Sequence, residues 1–161
     1  QIFGDMKQLS DLKGYHIFNH SAVKTCLWLK KSLKDEGVCY KQKFYGIQSH
    51  RCLQMTPALV CNQSCIYCWR PLELLKDFRG WDAPEKIVEE SLIAQKRLLS
   101  GFYGTEGVNR KKLKEAEKPN QVAISLIGEP TLYPHLPELI ECYLHSSTSV
   151  SPLTARRATC Y

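Results

Sequence analysis

Cys61-Asn62-Gln63-Ser64-Cys65-Ile66-Tyr67-Cys68 decides how the rest of the chain is read. Three cysteines stand at a C-x3-C-x2-C spacing, with an aromatic directly before the last. A loop of this length can turn three thiolates toward one point. Thiolates are the usual ligands of iron–sulfur clusters, and a cubane of four irons takes about four of them. A loop that offers only three leaves one iron open to a substrate or cofactor. Three other readings stand beside this one. A structural zinc site prefers paired C-x2-C motifs or nearby histidines, and neither adjoins the loop. A disulfide framework needs an oxidising compartment. Three buried cysteines acting as small hydrophobes is the plainest reading.

With the aromatic at Tyr67, the spacing resembles that of the radical S-adenosylmethionine (radical SAM) enzymes. The resemblance implies that Cys61, Cys65 and Cys68 hold a 4Fe–4S cluster whose open iron chelates the amino and carboxylate groups of SAM. It also implies that an electron from the cluster cleaves SAM to a 5′-deoxyadenosyl radical.

The flanks of the loop suggest how it is delivered. Pro57-Ala58-Leu59-Val60 is a short apolar run, expected to be a buried parallel strand that ends at Cys61. Arg70-Pro71 marks the exit. Asp82-Ala83-Pro84-Glu85 predicts a helix start with a capping box, continued by Ile87, Val88, Leu92, Ala94, Leu98 and Leu99 and stopped at Gly101. Residues 104–120 are polar and charged and predict an exposed insertion, with room for a helical turn. Val122-Ala123-Ile124-Ser125-Leu126-Ile127 predicts a second buried strand, and 134–144 a second helix. The order strand, loop, helix, strand, turn, helix predicts an α/β fold with parallel strands and right-handed crossovers. Active sites of such folds lie at the C-terminal ends of the strands.

Gly128-Glu129-Pro130 follows the second strand and should face the cysteine loop. Glycine there lets backbone approach a ligand, and a carboxylate suits a cationic amino group. An ordinary strand-to-helix turn is the alternative. Radical SAM enzymes carry a Gly-Gly-Glu-like motif at this place that contacts the SAM amino group; here Ile127 stands where the first glycine is usual.

Upstream of the loop the pattern is weaker. Ser21 is the expected N-cap of a helix through Ala22, Val23, Cys26, Leu27, Leu29 and Leu33, with Gly37 as its stop. Leu9, Leu12 and Tyr15 allow a short helix before that. Val38 to Ile47 alternates aromatics with lysine and glutamine and predicts an extended or hairpin segment, and 49–55 continues extended. Cys26, Cys39 and Cys52 recur at thirteen-residue intervals. One loop cannot hold them together, but a folded lobe can.

The bulk properties agree with a packed protein. The chain has 161 residues, 43% of them hydrophobic, and a net charge of +6. Residues 1–60 carry nine Lys and Arg against four acids, so most of the positive charge lies there. A basic region beside a redox centre suits a polyanionic partner, although a solvated lysine face has the same composition. No apolar run approaches the ~20 residues of a membrane span. Eight cysteines and no visible secretory signal lead us to expect a reducing cytoplasm and metal ligation. The chain opens at Gln1, so it reads as a piece of a longer protein or as one starting at Met6.

Several runs together resemble a narrower family, the tRNA 4-demethylwyosine synthases of archaea. They are Lys41-Gln42-Lys43-Phe44-Tyr45-Gly46-Ile47, His50-Arg51-Cys52-Leu53-Gln54-Met55-Thr56-Pro57, Tyr67-Cys68-Trp69-Arg70-Pro71, and Gly128-Glu129-Pro130-Thr131-Leu132-Tyr133-Pro134. This resemblance implies a second 4Fe–4S cluster on Cys26, Cys39 and Cys52. It implies SAM contacts from Tyr67, Gly128, Glu129 and Pro130. Pyruvate would meet the open iron of the second cluster or form a Schiff base with Lys41 or Lys43, unless those lysines bind phosphate. The implied partners are phenylalanine tRNA, pyruvate and an electron donor of open identity, with no membrane and a monomeric complete enzyme. The implied reaction removes hydrogen from the methyl of 1-methylguanosine beside the anticodon. The carbon radical joins the pyruvate carbonyl carbon, the pyruvate carboxyl carbon departs, and loss of water closes a third ring. Single-stranded loops release a base for such chemistry at low cost.

The resemblance runs from about residue 20 to 141. Radical SAM folds use about three-quarters of an eight-unit barrel of ~250 residues, so the expectation is a partial barrel, inactive by itself. The expected divisions are a basic cluster-binding lobe over 1–56, the first βα units over 57–145 and an unmatched tail over 146–161. Cys142 and Cys160 receive no role.

Overall fold

The computed structural model describes residues 14–66, 68 and 80–146. The readings made for residues 1–13, for Tyr67, for Arg70-Pro71 and for the tail beyond 146 lie outside them.

One mixed sheet organises the chain, in the order β1-β2-β3-β4. Strands β1 (Tyr15–Phe18) and β2 (Ser21–Lys24) form an antiparallel hairpin. Its tight turn places Asn19 at φ 46°, a left-handed conformation that asparagine tolerates. β2 pairs antiparallel with β3 (Cys52–Thr56), and β3 pairs parallel with β4 (Gln121–Ile124). The parallel pair matches Cys52 with Gln121 and Met55 with Ile124. The expected parallel βαβ unit is therefore present, with an antiparallel hairpin added at its side.

Helix α3 (Pro84–Ser100) follows the cysteine loop, and α5 (Leu136–His145) follows β4. Both pack on the sheet face carrying Leu53, Met55 and Val122, where Ile87, Val88, Ala94, Leu139 and Tyr143 complete the main core. Ser91 Oγ and Tyr143 OH, both buried, share a hydrogen bond of 2.7 Å between the two helices. A smaller core joins Leu29 and Leu33 of α1 (Leu27–Leu33) to Leu99 and to Leu113 and Ala116 of α4 (Arg110–Ala116). On the opposite sheet face Ala22, Leu59 and Ile127 pack with Ile17 and Leu126.

Four expectations are corrected, and the helical turn allowed for in 104–120 proves to be a full helix. Ser21 begins strand β2, and the helix starts six residues later with Cys26 as its cap. The apolar spacing continues through the junction, but Ala22 and Val23 are fully buried in the sheet. Residues 40–45 are helical, α2 (Tyr40–Tyr45), closed by Gly46 at φ 67°. The first parallel strand ends at Thr56, so Pro57–Val60 is buried stem, not strand. Pro57 has no N–H for a ladder, and Leu59 N–H donates to His20 O at 2.8 Å. Asp82 does not cap α3; Ala83 holds the cap position, and Asp82 accepts from Lys86 Nζ at 2.8 Å and Asn19 Nδ2 at 3.1 Å. The expected insertion over 104–120 contains α4, capped by Asn109, whose Oδ1 accepts from Lys111 N and Lys112 N at 3.1 and 3.3 Å.

Candidate functional site

The stem of the cysteine loop is gripped from two sides. The first grip is the β1–β2 turn. His20 Nδ1 donates to Pro57 O at 2.6 Å, and His20 Nε2 accepts the Asp82 N–H at 2.8 Å. A carbonyl only accepts and a backbone N–H only donates, so the ring is the neutral Nδ1–H tautomer. One buried imidazole thus ties the chain four residues before Cys61 to the chain where α3 begins. Tyr133 stacks on His20 at 5.7 Å and donates its OH to Asp82 O at 2.7 Å, and Trp81 packs edge-on to His20 at 4.8 Å. Burial lowers the pKa of His20; the Pro57 carbonyl and Asp82 only partly oppose this.

The second grip is the turn after β4. Glu129 N–H donates to Val60 O at 2.9 Å. Gly128 has φ +79°, and a Cβ on it would stand 1.9 Å from Ala58 O. The glycine is therefore required by a backbone-to-backbone approach between turn and stem. The sequence offered only approach to a ligand as its reason. Glu129 Oε1 accepts from Thr131 N at 3.1 Å and Thr131 Oγ1 at 2.7 Å, capping a short 3-10 turn at Pro130–Leu132. No hydrogen bond from the described residues reaches Oε2 of Glu129.

Beyond the stem, Gln63 N–H points at Cys61 Sγ at 3.5 Å, and Cys68 N–H returns to Cys65 O at 2.9 Å. Cys61 and Cys68 carry free, half-exposed thiols. Cys65 is disulfide-bonded. A sulfur so bonded is no thiolate ligand, so loading this loop with a cluster begins by reducing Cys65.

The fold brings Cys26, Cys39 and Cys52 into one region from α1, α2 and β3. Cys26 and Cys39 stand at the N-cap positions of their helices, both extended at ψ 161°. Leu29 N–H donates to Cys26 Sγ at 3.2 Å, and Ser49 Oγ donates to Cys39 Sγ at 3.4 Å. Burial pushes the Cys26 thiol up and the Cys52 thiol up to about 12, and the neighbouring thiols add to the rise at both. Lys41 lowers both, so its ammonium lies within the field of the triad. Lys41 is half-buried and Lys43 exposed.

Among the described residues, no three His, Cys, Asp or Glu side chains are grouped to chelate a single metal ion. A four-iron cluster holds its cysteine sulfurs farther apart than one ion does. The donor set of Cys26, Cys39 and Cys52, three sulfurs of which Cys26 and Cys39 each receive a hydrogen bond, fits such a cluster. A cleft of about 410 Å³ adjoins Cys26, lined in part by Lys24, Lys30, Gln54 and Ser125. His20, Ser49 and Gln121 escaped the sequence reading, since their partners lie far away in the chain or belong to backbone groups.

No described helix is long and apolar enough to cross a membrane. The features together define an α/β protein with one cysteine triad beside the start of a parallel strand pair and a cysteine loop beyond the end of its first strand. Comparison with known proteins narrows this class. No protein-family model matches the chain. An S-adenosyl-L-methionine-dependent tRNA 4-demethylwyosine synthase of Pyrococcus abyssi is 56% identical over 126 residues, 76% of this chain and 37% of its own length. The enzyme of that name from Methanocaldococcus jannaschii is 46% identical, over 80% of this chain and 44% of its own length. A solved structure of TYW1 with a lysine-pyruvate adduct bound superposes with a TM-score of 0.82 at 42% identity, covering 91% of this chain and 49% of that one. A crystal structure of archaeal TYW1 gives a TM-score of 0.74 at 38% identity. Over the part it spans the chain is similar in sequence and structure to the tRNA 4-demethylwyosine synthases, and it spans less than half the length of these archaeal relatives.

Proposed function

We propose that this chain forms the first part of a radical SAM enzyme of wyosine biosynthesis, condensing 1-methylguanosine of phenylalanine tRNA with pyruvate in the cytoplasm. Cys61, Cys65 and Cys68 would hold the SAM-binding 4Fe–4S cluster, and Cys26, Cys39 and Cys52 a second. The first cluster, when bound, supplies the electron that opens SAM. Tyr67, Gly128, Glu129 and Pro130 would seat SAM, with the open Oε2 of Glu129 facing its amino group. The grips on the stem by His20 and Glu129 N–H would hold the loop at a fixed distance from that turn. Basic residues of 1–60 would neutralise tRNA phosphates.

The carrying observation concerns Lys41. It lies within the field of Cys26 and Cys52, while Lys43 faces solvent. A 42% identical neighbour carries a lysine-pyruvate adduct. We therefore assign the Schiff base to Lys41: its amine attacks the pyruvate ketone, and water leaves. The test is borohydride trapping with pyruvate followed by peptide mapping of the complete protein. The adduct is expected on Lys41, to persist in Lys43→Ala and to vanish in Lys41→Arg. An adduct on Lys43 would overturn the assignment.

A further inference from the structure

We infer that Ser49 is a positioning residue that sets the reduction potential of the cluster on Cys26, Cys39 and Cys52; this rests on the reading that the triad holds one. Ser49 is 1% exposed. Its oxygen accepts the Cys39 N–H at 3.0 Å, and its own N–H is held by Gln42 Oε1 at 2.9 Å. The oxygen and the backbone N–H are thus engaged, and the hydroxyl proton goes to Cys39 Sγ at 3.4 Å. With Leu29 N–H on Cys26, two sulfurs of the triad are acceptors, served from different stretches of chain.

Cys142, outside both triads, shows the opposite polarity. Its thiol donates, to Glu85 Oε1 at 3.8 Å. A fold that merely stores small hydrophobic thiols has no need to point a buried hydroxyl at one of them. Donors on ligating sulfurs stabilise the reduced, more negative cluster and raise its potential. The Leu29 donor is backbone, so the side-chain part of this tuning lies in Ser49.

The experiment is a potentiometric titration of the complete protein, reconstituted anaerobically and followed by electron paramagnetic resonance. The cluster on Cys26, Cys39 and Cys52 is the one whose signal does not move on adding SAM. Ser49→Ala is expected to lower the midpoint potential of that signal alone, and Ser49→Thr, which keeps the hydroxyl, to return it toward the parent value. Ser49→Gly, which also removes the hydroxyl, is expected to lower the same potential and decides the matter if Ser49→Ala fails to load the cluster. Unchanged potentials in loaded variants, or equal shifts of both signals, overturn the inference. A parent protein with a single, SAM-responsive signal removes instead the two-cluster reading on which it stands.

Discussion

Gly128 lacks a side chain because Ala58 leaves no room for one. Placing alanine there sets a Cβ 1.9 Å from a backbone oxygen at a φ of +79°. The conformation alone costs about 1–3 kcal/mol, and the overlap pushes turn and stem apart. Gly128→Ala should therefore lose at least that much stability in a urea titration, whereas an unchanged midpoint would mean the two backbones are not in contact. His20 gives a pH dependence. Its folded pKa lies below the ordinary 6.5, so the folded state resists protonation. Its contribution is fully present above about pH 6.5 and is lost as pH falls toward the lowered value. Protonating Nε2 removes the acceptor for the Asp82 N–H, though Asp82 itself favours the charged ring and Lys86 opposes it. Urea midpoints should fall below pH 6.5 in the parent and flatten in His20→Gln; parallel curves would contradict the clasp.

Among the elements, α4 shows what lies beyond local pattern. Residues 104–120 read as a charged insertion with at most a helical turn because Arg110-Lys111-Lys112 and Lys114-Glu115 crowd out the apolar stripe. Only Leu113 and Ala116 turn inward, and Leu29, Leu33 and Leu99 supply the rest of their burial from elsewhere in the chain. Leu113→Ala should cost about 2–5 kcal/mol, measured by denaturant unfolding; a loss under about 0.5 kcal/mol would fit a surface helix instead. α2 was equally hidden. Tyr40, Phe44 and Tyr45 favour strands by propensity, yet Gly46 in the left-handed region and the Gln42–Ser49 bond close a helix of six residues. Elements with a long stripe or a buried run were legible: α3, β4 and α5 appear where periodicity placed them, within about two or three residues. The cysteine spacing and the Gly128–Glu129 turn were legible too. The stem's two grips were not, because His20 and Pro57 are 37 residues apart and their bond involves a carbonyl that any residue could present.

At the scale of the whole molecule, the sheet unites residues on both sides of the cysteine loop. The β1–β2 hairpin and β3–β4 pair share one core, so the N-terminal triad and the loop stem are held in one body. Most of the +6 charge lies in residues 1–60. If these lysines grip tRNA as proposed, affinity of the complete protein for phenylalanine tRNA should fall steeply from low to high salt, and binding insensitive to salt would remove the proposed contact. The central claim is that two cysteine triads each hold a 4Fe–4S cluster, one of them open to SAM. The direct measurement is iron and sulfide analysis of the complete, anaerobically reconstituted protein, with electron paramagnetic resonance before and after SAM. The account predicts about eight irons per chain, with one signal shifted by SAM and one unmoved. About four irons with a single SAM-shifted signal would contradict the second triad, and no SAM-responsive signal would contradict the first.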